Sequence, residues 1–246
     1  MQKKTLGASL QICGTRALVL LAGVLCMCLP GFANTDQVFN EIYKLPAGGS
    51  FQLDNVNGSV QVEGWDRDEV EVYAVKSSKN DSRDLDQVKI EVESHPGEVD
   101  VHTRYPTGEG AEVAVEYHIR VPNRVMLGSI QTVNGNVEVT ESSGRFSAKT
   151  TNGDLRLELR HLIDGAPMNL ETVNGSVVLG LPSNASADVK VHNMNGELYS
   201  EIPVTSTDAL PGARAFHGRL GRGGGGAISV RTVNGGIHLL LEHSGV

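Results

Sequence analysis

Beyond residue 28 the chain has no cysteine; its three cysteines, Cys13, Cys26 and Cys28, all lie near the N-terminus. Disulfides, thiolate metal sites and cysteine nucleophiles are thereby excluded from the rest of the chain. Aromatic residues are scarce, with one Trp, five Phe and five Tyr in 246 residues. A core therefore has to be built from Val, Leu and Ile, which favours thin, repetitive β packing. The apolar run Ala17 to Leu29 spans thirteen residues, short of the roughly 20 that a spanning helix needs. Positive charge is also in short supply. Removing Lys3, Lys4 and Arg16 with the first 33 residues leaves 18 basic against 29 acidic side chains, a net charge of −11 with His neutral. That balance disfavours nucleic acid and anionic lipid, both of which are bound through Lys and Arg.

The first 33 residues have the form of an export signal. Lys3, Lys4 and Arg16 precede the apolar run, and Gly31-Phe32-Ala33 supplies small residues at a cleavage site after Ala33. Neither Cys26 nor Cys28 has the small residue before it that lipid modification requires. The expectation is an exported chain, periplasmic or at the cell surface, with no permanent membrane anchor after cleavage.

What the sequence has in abundance is one short pattern, six times over. Asn57-Gly58, Asn134-Gly135, Asn152-Gly153, Asn174-Gly175, Asn195-Gly196 and Asn234-Gly235 share their surroundings. Four residues before each Asn stands Leu53, Ile130, Ala148, Leu170, Val191 or Val230, and two before it Asn55, Thr132, Thr150, Thr172, Asn193 or Thr232. Three residues after come Val60, Val137, Leu155, Val177, Leu198 and Ile237. Five after come Val62, Val139, Leu157, Leu179, Ser200 and Leu239, so the rule breaks once, at Ser200. Period-two apolar residues flanking a dipeptide that tolerates positive φ predict short strands joined by tight turns.

The chain divides into the segment 1–33, a lead-in over 34–50, a β region over 51–124 holding the first repeat, and a repeat region over 125–246 continuous with it. Between Trp65 and Pro122 the Asn-Gly pattern gives way to plain alternation over Glu69–Val75, Val88–Glu93, Glu98–Arg104 and Ala111–Val121, predicting an antiparallel sheet. From Asn134 on, the intervals are 18, 22, 21 and 39 residues, the last fitting a degenerate repeat around Ala215 to Gly226. The fold class is all-β. Intervals near 20 residues fit a β-solenoid-like stack whose rungs bury their apolar faces against each other. An antiparallel meander or roll fits the same arithmetic, since a two-residue hairpin pairs minus two with plus three on one face.

The piece Val60-Gln61-Val62-Glu63-Gly64-Trp65-Asp66-Arg67-Asp68-Glu69-Val70-Glu71-Val72, then Ile119-Arg120-Val121-Pro122 and serial Thr-Val-Asn-Gly units resemble the bacterial "putative adhesin" β-strand-repeat family. This is the toast-rack domain, domain of unknown function 4097. The resemblance runs from about Phe51 to Leu241 and implies an all-β stack of rungs in the bacterial envelope, with some relatives associated with envelope stress. Thr151 and Met194 depart from the usual Val before Asn, and Asn193 from the usual Thr. The family offers no catalytic residue to carry over.

Candidate chemistry is sparse. The repeat Asn residues are read as turn formers that cap neighbouring backbone. His95, His102, His118, His161, His192, His217, His238 and His243 show no metal-ligand spacing, and Asp66, Asp68, Asp81, Asp84 and Asp86 lack the pattern of a calcium loop. Gly218 to Gly226, with Arg219 and Arg222, lacks the phosphate-loop signature. Trp65 fits either a sugar-stacking platform or a seal at the end of the core. Alternation turns Gln131, Glu138, Lys149, Arg156, Glu171, Lys190 and Arg231 outward, and these are the candidate binding surface. No catalytic, cofactor or metal residue is assigned. The expected function is an adhesin-like binding module for an envelope protein or glycan. Alternatives are a periplasmic scaffold or envelope-stress accessory and, last, a carbohydrate-active enzyme gathering carboxylates such as Glu138, Glu158 and Glu171. Open end rungs also invite self-association.

Overall fold

The computed structural model describes residues 36–78, 83–106, 112–143, 145–162, 165–206 and 215–241. The expected export signal, Asp81, Gly144 and His243 lie outside these residues. In chain order the strands are β1 (Gln37–Lys44), β2 (Ser50–Asp54), β3 (Val60–Trp65) and β4 (Glu69–Ser78), followed by the one-turn helix α1 (Arg83–Gln87). Next come β5 (Lys89–His95), β6 (Glu98–Arg104), β7 (Val113–Pro122), β8 (Met126–Gln131), β9 (Val137–Ser143), β10 (Phe146–Lys149) and β11 (Leu155–His161). The remainder is β12 (Met168–Glu171), β13 (Val177–Leu181), β14 (Ala187–Asn195), β15 (Leu198–Ser200), β16 (Val204–Ser206), β17 (Ala215–Leu220), β18 (Ala227–Asn234) and β19 (Ile237–Leu241). The lead-in over 34–50 thus contains β1, in which Phe39 and Tyr43 pack on the core from one side of an alternating strand.

Two sheets face each other. The first has the order β1-β4-β7-β3-β9-β11-β13-β19-β15, the second β16-β17-β14-β18-β12-β10-β8-β2-β6-β5. Each Asn-Gly turn carries the chain from a strand of the second sheet to one of the first, forming a rung. All rung-to-rung pairs are parallel: β3 with β9, β9 with β11, β11 with β13, β13 with β19 and β19 with β15 in the first sheet, matched in the second. The fold is therefore the stack of rungs, and the antiparallel meander or roll is excluded. A flat hairpin would put both apolar half-strands on one face with nothing opposite. Folding across the turn instead aims Leu53, Val60 and Val62, and their counterparts in every rung but the outermost one of β14 and β15, into one core, where all three are at most 1 % exposed.

Antiparallel pairing is confined to the ends and split between the sheets. At one end β4 pairs with β7 and β1 with β4 in the first sheet, while β5 pairs with β6 in the second. Between them, β6 and β7 are themselves a parallel rung without an Asn-Gly turn, outside β2 and β3. The helix α1, absent from the alternation pattern, buries Leu85 at this end. At the other end, the described residues of the 39-residue interval form no degenerate rung. Its β16 and β17 run antiparallel on the outer edge of β14, and the last rung, β18 and β19, inserts between β12–β13 and β14–β15.

The turns are locked by three repeating contacts. Asparagine amides form a continuous ladder: Asn134 donates to Asn57, Asn152 to Asn134, Asn174 to Asn152, Asn234 to Asn174 (each 2.8 Å) and Asn195 to Asn234 (2.9 Å). Hydroxyls of Thr132, Thr150, Thr172 and Thr232 donate to the Gly58, Gly135, Gly153 and Gly175 carbonyls at 2.9–3.1 Å. The third contact is a close approach of backbone. A Cβ on Gly153 would lie 2.0 Å from the Gly135 oxygen, and one on Gly175 1.9 Å from that of Gly153. Glycine is needed here for room. The left-handed turn role expected of the Asn residues is not theirs, since Glu141 is the one non-glycine with positive φ among the described residues.

Asn152→Ala removes a donor and an acceptor of the ladder and is expected to cost roughly 1–3 kcal/mol, at about 0.5–1.5 per hydrogen bond. Gly153→Ala forces two rungs apart and is expected to cost at least about 3 kcal/mol; urea unfolding measures both. Tyr117 (β7) reaches across the core to Thr103 (β6), hydroxyl to hydroxyl, at 2.7 Å. Burial pushes its phenol above the ordinary value. The unfolded chain releases that proton first, so this stability is complete below about pH 10 and declines as pH rises further. In Tyr117→Phe, chemical unfolding should show a loss of about 1–3 kcal/mol at neutral pH, from the unpaired Thr103 hydroxyl, and a shallower alkaline decline.

Candidate binding surface

Alternation that buries one set of side chains presents the other, and parallel register aligns these into rows about 4.8 Å apart from strand to strand. On the second sheet one row reads Glu91, His102, Asp54, Gln131, Lys149, Glu171, Arg231, His192. It is knitted sideways: His102 Nδ1 lies 3.0 Å from Asp54, the Gln131 amide donates to Asp54, and Lys149 lies 3.7 Å from Glu171. Lys190 belongs to the adjacent row, opposite Ser229 and His217. Glu138 and Arg156 are on the first sheet, on the far side of the core, where Arg156 lies 2.7 Å from Glu158 and 3.9 Å from Glu138. The seven candidate residues therefore divide between two opposite surfaces. The carboxylates of Glu138, Glu158 and Glu171 do not converge: two share Arg156 and the third is on the other sheet.

The first sheet's outer face holds a concavity of about 550 Å³, lined by Gln61, Glu63, Glu71, Tyr73, His118, Arg120, Glu138 and Thr140. Strand β7 supplies its floor, with β4 on one side and β3 and β9 on the other. Arg120 lies between Glu63 at 3.4 Å and Glu71 at 3.3 Å. Tyr73 and His118 set their rings 6.0 Å apart at 57°. Trp65 borders this group, its indole N–H donating to the Glu69 carbonyl at 2.7 Å. Arg67 stands 4.8 Å and Arg120 5.9 Å from the ring, so guanidinium groups occupy the faces a sugar would need. The arrangement provides fixed hydrogen-bonding groups beside aromatic edges. Among the described residues no group of three His, Cys, Asp or Glu is placed to hold a metal ion. The Gly218–Gly226 segment folds back on Ser186, whose hydroxyl accepts the Arg222 N–H at 3.0 Å, and continues as β18.

Of this concavity, sequence reasoning singled out only Glu138. Tyr73, His118 and Arg120 lie on strands whose alternation is visible, but without an Asn-Gly marker nothing in the sequence ties β4 and β7 to the rung of Asn57.

Residues 124–239 match the family described as Toastrack DUF4097. That stretch of the chain is similar to a toast-rack domain. The Asn57 rung and the β6–β7 rung lie before the matched residues and belong to the same two sheets. No curated protein matches the sequence. Among solved structures, a "putative cell adhesion protein" from Clostridium sporogenes superposes with a TM-score of 0.60 at 12 % identity, covering 84 % of this chain and 100 % of that one. A "putative adhesin" from Bacteroides fragilis gives 0.32 at 10 % identity, covering 83 % and 97 %. A "putative lipid binding protein" from Parabacteroides distasonis gives 0.29 at 11 %, covering 69 % and 71 %. At that identity the first likeness shows the fold alone.

Trp65 is the sole Trp, so its emission reports on this surface alone. Arg120→Met is expected to change that emission while costing under about 1 kcal/mol, because both ion pairs are solvent-exposed. Fluorescence and thermal unfolding of the variant check the two halves of this expectation.

Proposed function

We propose that the protein is an exported, adhesin-like binding module without catalytic activity, and that it holds an envelope glycan on the outer face of its first sheet. The observation that carries this reading is the concavity around Tyr73, His118 and Arg120. It combines aromatic edges with paired hydrogen-bonding groups, as sites for polar ligands do, on strands β4 and β7, which are joined to the Asn57 rung by the pairing of β7 with β3. Export is supported by the form of residues 1–33. A binding role is supported by carboxylates engaged with arginines rather than with one another. The cell-adhesion description belongs to the C. sporogenes relative and, at 12 % identity, lends this chain its fold alone.

Titration of purified cell-envelope polysaccharides against Trp65 fluorescence tests the ligand class, with saturable binding expected and a loss of at least tenfold in Tyr73→Ala with His118→Ala. Protease treatment of intact cells, with a periplasmic control, tests the location. Digestion of the chain while the control survives is expected; survival until the envelope is permeabilised would favour a periplasmic scaffold.

A further inference from the structure

Acidic residues outnumber basic ones in the chain as a whole, but the excess is not spread evenly over its surface. On β6 to β13 every basic side chain of a strand lies against a carboxylate: Arg104 against Glu91, Arg120 against Glu71, Lys149 against Glu171, Arg156 against Glu158 and Arg160 against Glu141. On β14, β17 and β18 the reverse holds. Lys190, Arg219 and Arg231 are exposed, and among the described residues none of the three has a carboxylate at ion-pairing distance.

These three strands are neighbours in the second sheet, and their register fixes the pattern on its outer face. On β14 the outward residues are Asp188, Lys190 and His192. They stand beside Ala227, Ser229 and Arg231 of β18, and beside Arg219, His217 and Ala215 of β17. From Arg231 to Lys190, and again from Lys190 to Arg219, the step is one strand across and two residues along. With strands about 4.8 Å apart and a rise of roughly 3.3 Å per residue, each step is about 8 Å. Arg231, Lys190 and Arg219 thus form a straight diagonal line of positive charge across three strands. Arg222 follows just beyond it, its N–H held by the Ser186 hydroxyl at 3.0 Å.

The surroundings of the line narrow the ligand class. His192 and His217 lie along one side, ring centroids 6.5 Å apart at 69°, and add ring nitrogens that bond hydroxyls. On the other side Ser229 is small and Asp188 is the one acid of the nine positions. Glu171, next to Arg231 on β12, is engaged by Lys149 at 3.7 Å. None of the nine is a large apolar side chain of the kind that enters a bilayer. A row of cations at regular steps, flanked by hydroxyl-bonding groups on a flat sheet, complements a linear chain of sugars with acid groups recurring along it. Guanidinium groups match carboxylate and phosphate oxygens in pairs, and several weak contacts along one chain add by avidity.

We propose that the outer face of β14, β17 and β18 is a second binding site, separate from the concavity on the first sheet, and that it takes a linear acidic polysaccharide along the line Arg231, Lys190 and Arg219.

The test immobilises polygalacturonate, poly(glycerol phosphate) and uncharged dextran on biosensors and measures binding of the purified protein at low and high salt. Saturable, salt-sensitive binding to one or both of the acidic polymers is expected, with none to dextran. The triple variant Lys190→Gln, Arg219→Gln and Arg231→Gln should bind at least about tenfold more weakly. A second triple variant, Arg104→Gln, Arg145→Gln and Arg160→Gln, loses the same charge elsewhere and should stay within about twofold of wild type. Unaltered thermal melting establishes that each variant folds, and Lys190→Gln alone, at the middle of the line, serves if the first triple variant does not. Failure of the wild-type protein to bind either acidic polymer at low salt overturns the proposal. Equal weakening in the two triple variants also overturns it, since net charge rather than this site would then be acting. So does binding to phosphatidylglycerol vesicles without binding to either polymer, which would make the partner a membrane surface. Trp65 and the concavity lie on the other sheet, so Tyr73→Ala with His118→Ala should leave this binding intact, and the two readings stand or fall separately.

Discussion

The close approach of one glycine carbonyl to the next rung's glycine is the constraint on which the rest of the structure depends. Stacked strands repeat at about 4.8 Å, and for a turn to repeat at the same spacing its backbone must lie against its neighbour's. A Cβ at Gly135, Gly153, Gly175, Gly196 or Gly235 would sit 1.9–2.1 Å from a neighbouring carbonyl oxygen. Once the glycines are in contact, the asparagine amides fall into hydrogen-bonding register, and threonine hydroxyls satisfy carbonyls that parallel pairing leaves over. The turn column then sets where every strand begins, hence which side chains of six rungs face the core and which face out.

The path of the chain through the stack follows from the need to cover ends. In space the β6–β7 rung lies outside β2–β3 although it comes later in sequence, and β18–β19 lies inside β14–β15 although it comes last. The first and last rungs of the sequence are thus each covered by another rung. Antiparallel strands and α1 then close one end, while at the other β16 and β17 extend only the second sheet. An incomplete cap explains why Leu198 and Tyr199 on β15 are exposed. It also gives the departures from the repeat a physical sense. Ser200 and Met194 belong to the outermost rung, where no neighbour exists among the described residues to bury a plus-five residue.

Much of this was legible in the sequence, because the repeat writes the same physical requirement six times. The positions two and four before Asn, and three and five after it, are buried or capping positions wherever a rung has neighbours on both sides. Spacing could not show whether the turn folds a hairpin or crosses between sheets, since both bring the same residues close; only the need for a second apolar layer decides it. The β6–β7 rung was illegible for a different reason. Its strands alternate as clearly as the others, but its turn carries no Asn-Gly, so nothing local ties Tyr73, His118 and Arg120 to the stack. Alternation has no means of telling two outer faces apart, and Glu138 with Arg156 lie on the one opposite to Lys149 and Glu171.

Hydrogen exchange at the turn glycines is the most direct test of the stacked column. The amides of Gly58, Gly135, Gly153, Gly175 and Gly235 each donate to the neighbouring rung at 2.8–3.0 Å. They should exchange only through global unfolding, whereas Gly196, with no rung beyond it among the described residues, should exchange rapidly. Exchange of the five interior glycines at the rate of an ordinary exposed turn would contradict the account, since the turns would then not be the element that holds the rungs together.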